Sequence, residues 1–305
     1  MSEFQLYKKR DFSALMNDTM DFFKKFWKNY FRNYVVINGA LILLMCVLYF
    51  IFFKDMFKNM YNPGAASAWM TDNMNPTNII GGLFFFLISI VLLVFTIAYP
   101  MIYLKLLKTK GDVSLTSSEV FNGIKSYAGR LIVFGLISFF IMLPLSVIVF
   151  AICIALSIVI IGIPMLILSV PTIMIWTMQA VYVFIDEDES YFFALKKGWK
   201  ITFEKYWHVV GSTIITSIFV AIVSSIFTMV PAIMMMSSVI TTGGQPNPME
   251  LTPTILVFYI IGMIFSFLAN NILFIQQGLI YYSSQENSVN YQAFSEIENI
   301  GTDEA

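Results

Sequence analysis

Long apolar runs alternate along the chain with short polar stretches that recur at regular places. A helix needs about 20 mainly apolar residues to cross a hydrocarbon core of about 30 Å. Six segments meet that requirement: 34–53, 77–104, 131–156, 164–184, 209–240 and 254–282. The uncharged stretch from Leu131 to Phe184 is too long for one crossing and has to turn back within apolar sequence. Ile161-Gly162-Ile163-Pro164 is the expected turn. Pro144 and Pro171 are the alternative break points, although proline inside a transmembrane helix is tolerated where neighbours satisfy the carbonyl it frees.

Each odd-numbered span is preceded by a segment with helical amphipathicity. Before the first, Phe12, Leu15, Met16, Met20, Phe23, Phe26, Trp27, Tyr30 and Tyr34 recur at steps of three and four, with Asp18, Asp21, Lys25, Lys28 and Arg32 on the other face. Before the third, Thr116-Ser117-Ser118-Glu119 fits a capping box and leads into Val120, Phe121, Ile124, Tyr127 and Ala128. Before the fifth, Phe192, Leu195, Trp199, Phe203 and Tyr206 form a stripe opposed by Lys197, Lys200 and Glu204. All three read as interfacial helices, with aromatics toward lipid and bases toward headgroups.

The first and third of these segments also match in sequence. Residues 24–34 and 196–206 agree at six of eleven positions: Lys24 with Lys196, Lys25 with Lys197, Trp27 with Trp199, Lys28 with Lys200, Phe31 with Phe203 and Tyr34 with Tyr206. A repeat is one explanation. The competing one is that a membrane interface itself selects Trp, Tyr and Lys.

The expected fold class is therefore all-α integral membrane, with six transmembrane helices and three cytoplasmic interfacial amphipathic helices. One interfacial helix plus two spans returns the chain to its starting side, so repetition gives parallel units and a threefold pseudo-repeat. The expected segments are an N-terminal extension at 1–10, a membrane domain at 11–282 with units 11–110, 111–185 and 186–282, and an acidic tail at 283–305. Within the tail, 293–300 is able to form a short amphipathic turn.

Composition agrees with a lipid solvent: 58% of the 305 residues are hydrophobic and 12% charged, against roughly a quarter charged in an average soluble domain. The net charge of -1 gives no reason to expect a nucleic-acid partner. Charge placement says more. Sixteen of the 18 bases precede the first span or lie in the second-to-third and fourth-to-fifth connections, whereas Lys54 and Lys58 lie on the other side. The positive-inside rule then places both termini in the cytoplasm, in a multi-pass plasma-membrane topology. The charged stretch from Asp11 to Arg32 stands where a cleavable signal would have its apolar core, so the first span is expected to serve as an uncleaved anchor.

The acidic turn Ile185-Asp186-Glu187-Asp188-Glu189, followed by the Ala-Leu-Lys-Lys-Gly-Trp-Lys run at 194–200, resembles a bacterial family. This is the six-span membrane domain fused to some glycerophosphodiester phosphodiesterases, together with its stand-alone relatives of unassigned function. The resemblance extends over 11–282 and implies a bacterial inner membrane. A phosphodiesterase barrel would need about 250 further residues, so what is implied is architecture and not that activity.

Candidate chemistry is sparse. His208 is the single histidine, beside Trp207 at the start of a span, where an interfacial anchor is expected rather than a catalyst or a zinc site. Asp186, Glu187, Asp188 and Glu189 hold enough oxygen for a divalent cation, but negative charge before a helix starting near Ser190 also complements its dipole. Gly81-Gly82 and Gly243-Gly244 are isolated pairs, not a phosphate loop. Cys46 and Cys153 sit in apolar sequence as small hydrophobes.

The spans hold no charge, only amides: Asn38, Gln179, Asn270, Asn271, Gln276 and Gln277 are the candidate intramembrane polar contacts. Asn270 and Gln277 share a helix face, and Ser224, Ser225 and Thr228 are candidate partners. Interhelical hydrogen bonding and a ligand site are both open to these amides. Lys25, Lys28, Arg32, Lys125, Arg130, Lys197 and Lys200 are the candidate contacts to anionic lipid headgroups. No enzyme activity and no cofactor are expected. The expected function is action through membrane-protein partners or in membrane and envelope organisation; the alternative is a carrier or flippase for a lipid or other apolar molecule, without ion coupling.

Overall fold

The computed structural model describes residues 4–59, 76–111, 114–241 and 248–289. Among them are seven α-helices and no strand: α1 (Phe12–Asn59), α2 (Pro76–Lys110), α3 (Ser117–Leu156), α4 (Gly162–Asp186), α5 (Tyr191–Glu204), α6 (Tyr206–Thr241) and α7 (Pro248–Val289). All but α5 are long and apolar enough to cross a membrane. The protein is thus an all-helical chain with six candidate membrane spans. The side chains of Lys54 and Lys58, the glycine pair at 243–244 and the acidic tail beyond 289 lie outside what is described.

The polar segments before the spans take two forms. In α1 and α3 the segment runs on into the span as one uninterrupted helix of 48 and 40 residues. Before α6 it is a separate helix, α5, and Lys205 alone stands between them with φ -130° and ψ 54°. No glycine or proline at 203–207 marks that break. The capping box is present: the Glu119 amide donates to Thr116 Oγ1 at 3.4 Å and the Thr116 amide to Glu119 Oε2 at 2.9 Å. Two amides at a helix start are thereby satisfied.

Pro144 and Pro171 both lie inside helices. The chain turns back a few residues before the expected tetrapeptide, through a 3₁₀ turn at Ser157–Val159 and Ile160 at φ 67°. A β-branched residue in that left-handed region costs roughly 1–2 kcal/mol. Gly162 explains why the turn closes here: a Cβ on it would lie 2.0 Å from the Cys153 carbonyl oxygen.

The chain divides into two compact units. The first comprises Met1–Asn33, Ile97–Ser217 and Ile272–Ala305. Its centre is aromatic, with Tyr30 at ring distances of 5.0 Å from Tyr99 and 4.9 Å from Tyr103, and Phe22 and Phe26 beside them. Tyr30, Tyr99, Tyr103 and Phe22 are almost completely buried. The stripe on this part of α1 therefore packs mainly into protein rather than toward lipid, and only Trp27 stands out, 53% exposed. Ahead of α1 the buried Arg10 side chain curls back on its own segment. It donates to Asp18 Oδ2 at 2.8 Å and to the carbonyls of Gln5 and Leu6 at 2.7 and 2.9 Å. Burial pulls this guanidinium below its ordinary pKa, and Asp18 pulls it back.

The second unit comprises Tyr34–Thr96 and Ile218–Asn271. The Tyr34 hydroxyl donates to the Phe267 carbonyl at 3.3 Å, and the rings of Phe227 and Phe265 stack at 4.2 Å. Bulky apolar side chains such as Ile80, Phe86, Ile222 and Ile233 are exposed, as lipid-facing positions would be.

Candidate functional site

Burial divides α5 into contrasting faces. Tyr191, Ala194, Leu195, Gly198, Ile201 and Thr202 are buried, at the spacing of one helix face. Gly198 permits this packing, because a Cβ there would lie 2.7 Å from the Ala180 backbone nitrogen of α4. The aromatics expected on a single apolar stripe with Leu195 are divided from it: Phe192, Trp199 and Phe203 are exposed.

Of these, Trp199 and Phe203 form one wall of a cavity of about 410 Å³ within the first unit, between α3, α4, α5 and the start of α6. Trp176 meets Trp199 edge-on at 4.9 Å, Trp199 stacks on Phe203 at 4.0 Å, and Phe203 stacks on Tyr206 at 5.2 Å. Met142, Val149, Cys153 and Leu168 complete the apolar walls. The polar groups on this lining already have protein partners. Trp176 Nε1 donates to the Leu195 carbonyl at 2.8 Å, and the Tyr206 hydroxyl lies 3.0 Å from Thr172 Oγ1. Ser146 and Ser169 donate to the carbonyls of Met142 and Leu166 on their own helices. What remains for a ligand is carbon surface, in a volume within the roughly 300–1,000 Å³ of small-molecule sites.

Next to this cavity in the chain, the acidic turn is a knot of ion pairs. Asp186 ends α4, where a negative charge is unfavourable to the helix dipole, and it is countered by Lys105 at 3.5 Å and Lys108 at 3.4 Å. Glu187 accepts from Lys197 at 2.6 Å, from the Tyr281 hydroxyl at 3.0 Å and from Gln285 at 2.5 Å. Asp188, at φ 60°, pairs with Arg130. Arg130 also donates to the Phe184 carbonyl at 2.8 Å and lies 4.5 Å over the Phe184 ring. Ser190 caps α5, accepting from the Phe193 amide at 3.4 Å, but no acid lies in that helix's first turn. Ion pairing with bases of α2, α3 and α5, rather than the dipole of α5, accounts for the placement of Asp186, Glu187 and Asp188. Among the described residues no group of three or more His, Cys, Asp or Glu is arranged to hold a metal.

The candidate amides separate by unit. In the first, Gln179 Nε2 donates to the Gln277 carbonyl at 3.1 Å and to its Oε1 at 3.2 Å, and Gln277 Nε2 donates to Thr213 Oγ1 at 3.1 Å. Gln276 Nε2 donates to the Ser212 carbonyl at 3.3 Å. These amides tie α4, α6 and α7 together, which is the interhelical role. In the second unit Asn270 donates to the Ser266 carbonyl of its own helix at 2.7 Å, and Asn271 to that of Phe267 at 2.8 Å. Asn38 is fully buried, and neither of its side-chain polar atoms has a hydrogen-bond partner among the described residues. Ser224, Ser225 and Thr228 border a separate cavity of about 390 Å³ in this unit, with Tyr49, Tyr259 and Ser266.

Of the bases assigned to headgroups, Arg130 and Lys197 have the protein partners just described, while Lys25, Lys28, Arg32, Lys125 and Lys200 are exposed. His208 is exposed as well. The aromatic-walled cavity was missed from sequence. Its signal was present in Trp176, Trp199, Phe203 and Tyr206, but nothing in their spacing joins Trp176 on one helix to Trp199 on the next. No protein-family model, curated protein or solved structure matches the chain.

Proposed function

We propose that this is a non-catalytic multi-pass protein of a bacterial plasma membrane that organises the membrane by holding lipid, with one acyl chain seated in the cavity between α3, α4 and α5. The cavity carries this reading. It is apolar, its polar lining groups have protein partners, and it belongs to a chain with six candidate spans, so the abundant apolar molecule around it is a lipid tail. Sixteen of 18 bases on one side of those spans support a topology with both ends in the cytoplasm. The ion pairs of the acidic turn leave the main candidate for catalysis or metal binding with a structural role.

The test is lipid retention by the full chain, purified in mild detergent and delipidated stepwise under native mass spectrometry. One lipid is expected to remain longest, and Ser146→Phe with Ser169→Phe, which fill the cavity, are expected to release it. Equal retention by wild type and filled variant would overturn the reading. A carrier function is the second reading. The hydroxyl-lined cavity of the second unit favours it, and headgroup scrambling by proteoliposomes measures it directly.

A further inference from the structure

Helix α5 bears unpaired charge along the strip that walls the cavity. Lys196, Trp199, Lys200 and Phe203 follow the i, i+3, i+4, i+7 spacing of one helix face. Trp199 and Phe203 line the cavity. Both lysines are exposed, and neither has a hydrogen bond or ion pair among the described residues. Lys197, one position away, is held by Glu187. Of the other acids of the preceding turn, Asp186 is occupied by Lys105 and Lys108 and Asp188 by Arg130. Lys196 and Lys200 are thus the positive charges left over beside an apolar hole.

We infer that the cavity selects an anionic phospholipid, with one acyl chain against Trp176, Trp199 and Phe203 and its phosphate over Lys196 and Lys200. The inference rests on the lipid-holding reading and specifies its ligand. Within a bilayer an acyl chain already has surroundings as apolar as the cavity, so entering it gains close packing but little hydrophobic free energy. Tails therefore discriminate poorly among lipids that share them. The headgroup decides, and two lysines on long apolar stems, rising beside the rings, favour net negative charge over a zwitterion. Lysine is suited to this as a mobile point charge that follows a phosphate without demanding one geometry.

The experiment titrates the delipidated full chain with phosphatidylglycerol or phosphatidylcholine of identical acyl chains, read by native mass spectrometry. Wild type is expected to prefer phosphatidylglycerol, each lysine contributing about fivefold. Lys196→Gln with Lys200→Gln should bind both lipids alike, while Lys196→Arg with Lys200→Arg should keep the preference. Size-exclusion profiles matching wild type establish that each variant is folded. A Gln pair that still prefers phosphatidylglycerol, or an Arg pair that loses the preference, overturns the headgroup assignment and leaves the cavity reading standing. Binding of neither lipid above the level of the Ser146→Phe/Ser169→Phe protein overturns both.

Discussion

Residues 24–34 of α1 and 196–206 around α5 share six of eleven residues, yet the two segments are built differently. Their identities lie mainly on the outside: Trp27 and Trp199 are 53% and 47% exposed, and Lys24, Lys28, Lys196 and Lys200 are exposed too. Apart from the exposed Arg32 and Glu204, their differences fall mainly on the packing face, where Phe26 corresponds to Gly198 and Tyr30 to Thr202, all four buried. In α1 that face is filled by rings that meet Tyr99 and Tyr103. In α5 it is bare at Gly198, where the helix backbone closes on Ala180. What the segments share is thus a set of residues suited to a membrane surface. What separates them is whether the helix is held off its neighbour by aromatic rings or pressed against it.

The largest expected effect comes from inverting that difference. Gly198→Leu would place a side chain where even a Cβ meets backbone at 2.7 Å, so loss of folded protein in size-exclusion chromatography is expected. Phe26→Ala removes bulk instead of adding it, leaving a cavity at a cost of about 3 kcal/mol, seen as a lowered Tm of a still folded protein. Should Gly198→Leu be tolerated as well as Phe26→Ala, the close approach of α5 to α4 is not what orders this region.

A smaller effect is expected beyond the packing face. Glu187→Gln removes the charge that faces Lys197 while keeping a carbonyl for Tyr281 and Gln285. The pair is partly exposed, with side-chain exposures of 22% and 32%, so a cost of about 1 kcal/mol in thermal unfolding is appropriate. The corresponding lysine of α1, Lys25, lies 5.3 Å from the centre of the Phe26 ring. An unchanged Tm in Glu187→Gln would mean that the ion pair does not hold α5.

The smallest effect on stability, and the most telling on function, concerns the two tryptophans. Trp27→Ala and Trp199→Ala are each expected to shift stability by less than about 1 kcal/mol, both being about half exposed. Only Trp199→Ala should lose retained lipid, because only Trp199 lines the cavity. Equal lipid loss in both would assign the tryptophans to general interfacial anchoring.

Several elements could be read from the sequence because their causes are local. The spans follow from run length, and the helix observed at Gly162–Asp186 departs from the expected 164–184 by two residues at each end. The capping box follows from Thr116 and Glu119, three residues apart. Other features were not legible because one pattern serves two environments. An aromatic stripe suits lipid and protein interior equally, since lipid tails are as apolar as side chains, so the burial of Phe26 and Tyr30 could not be foreseen. The partners of Glu187 were similarly hidden, as Tyr281 lies 94 residues away and nothing in either neighbourhood points to the other.

By itself, the sequence determined that the chain has six apolar helices long enough to span a bilayer, along with the polar segments before three of them and an uneven distribution of charge. These depend on composition over windows of about 20 residues, which no later packing can alter. Tertiary structure alone decided which face of each amphipathic segment is buried, which bases are spent on the acidic turn, and that four rings from α4, α5 and α6 meet around a void. A cavity is the space left by helices that stop short of one another, and it depends on the distances at which side chains such as Gly198 let backbones approach.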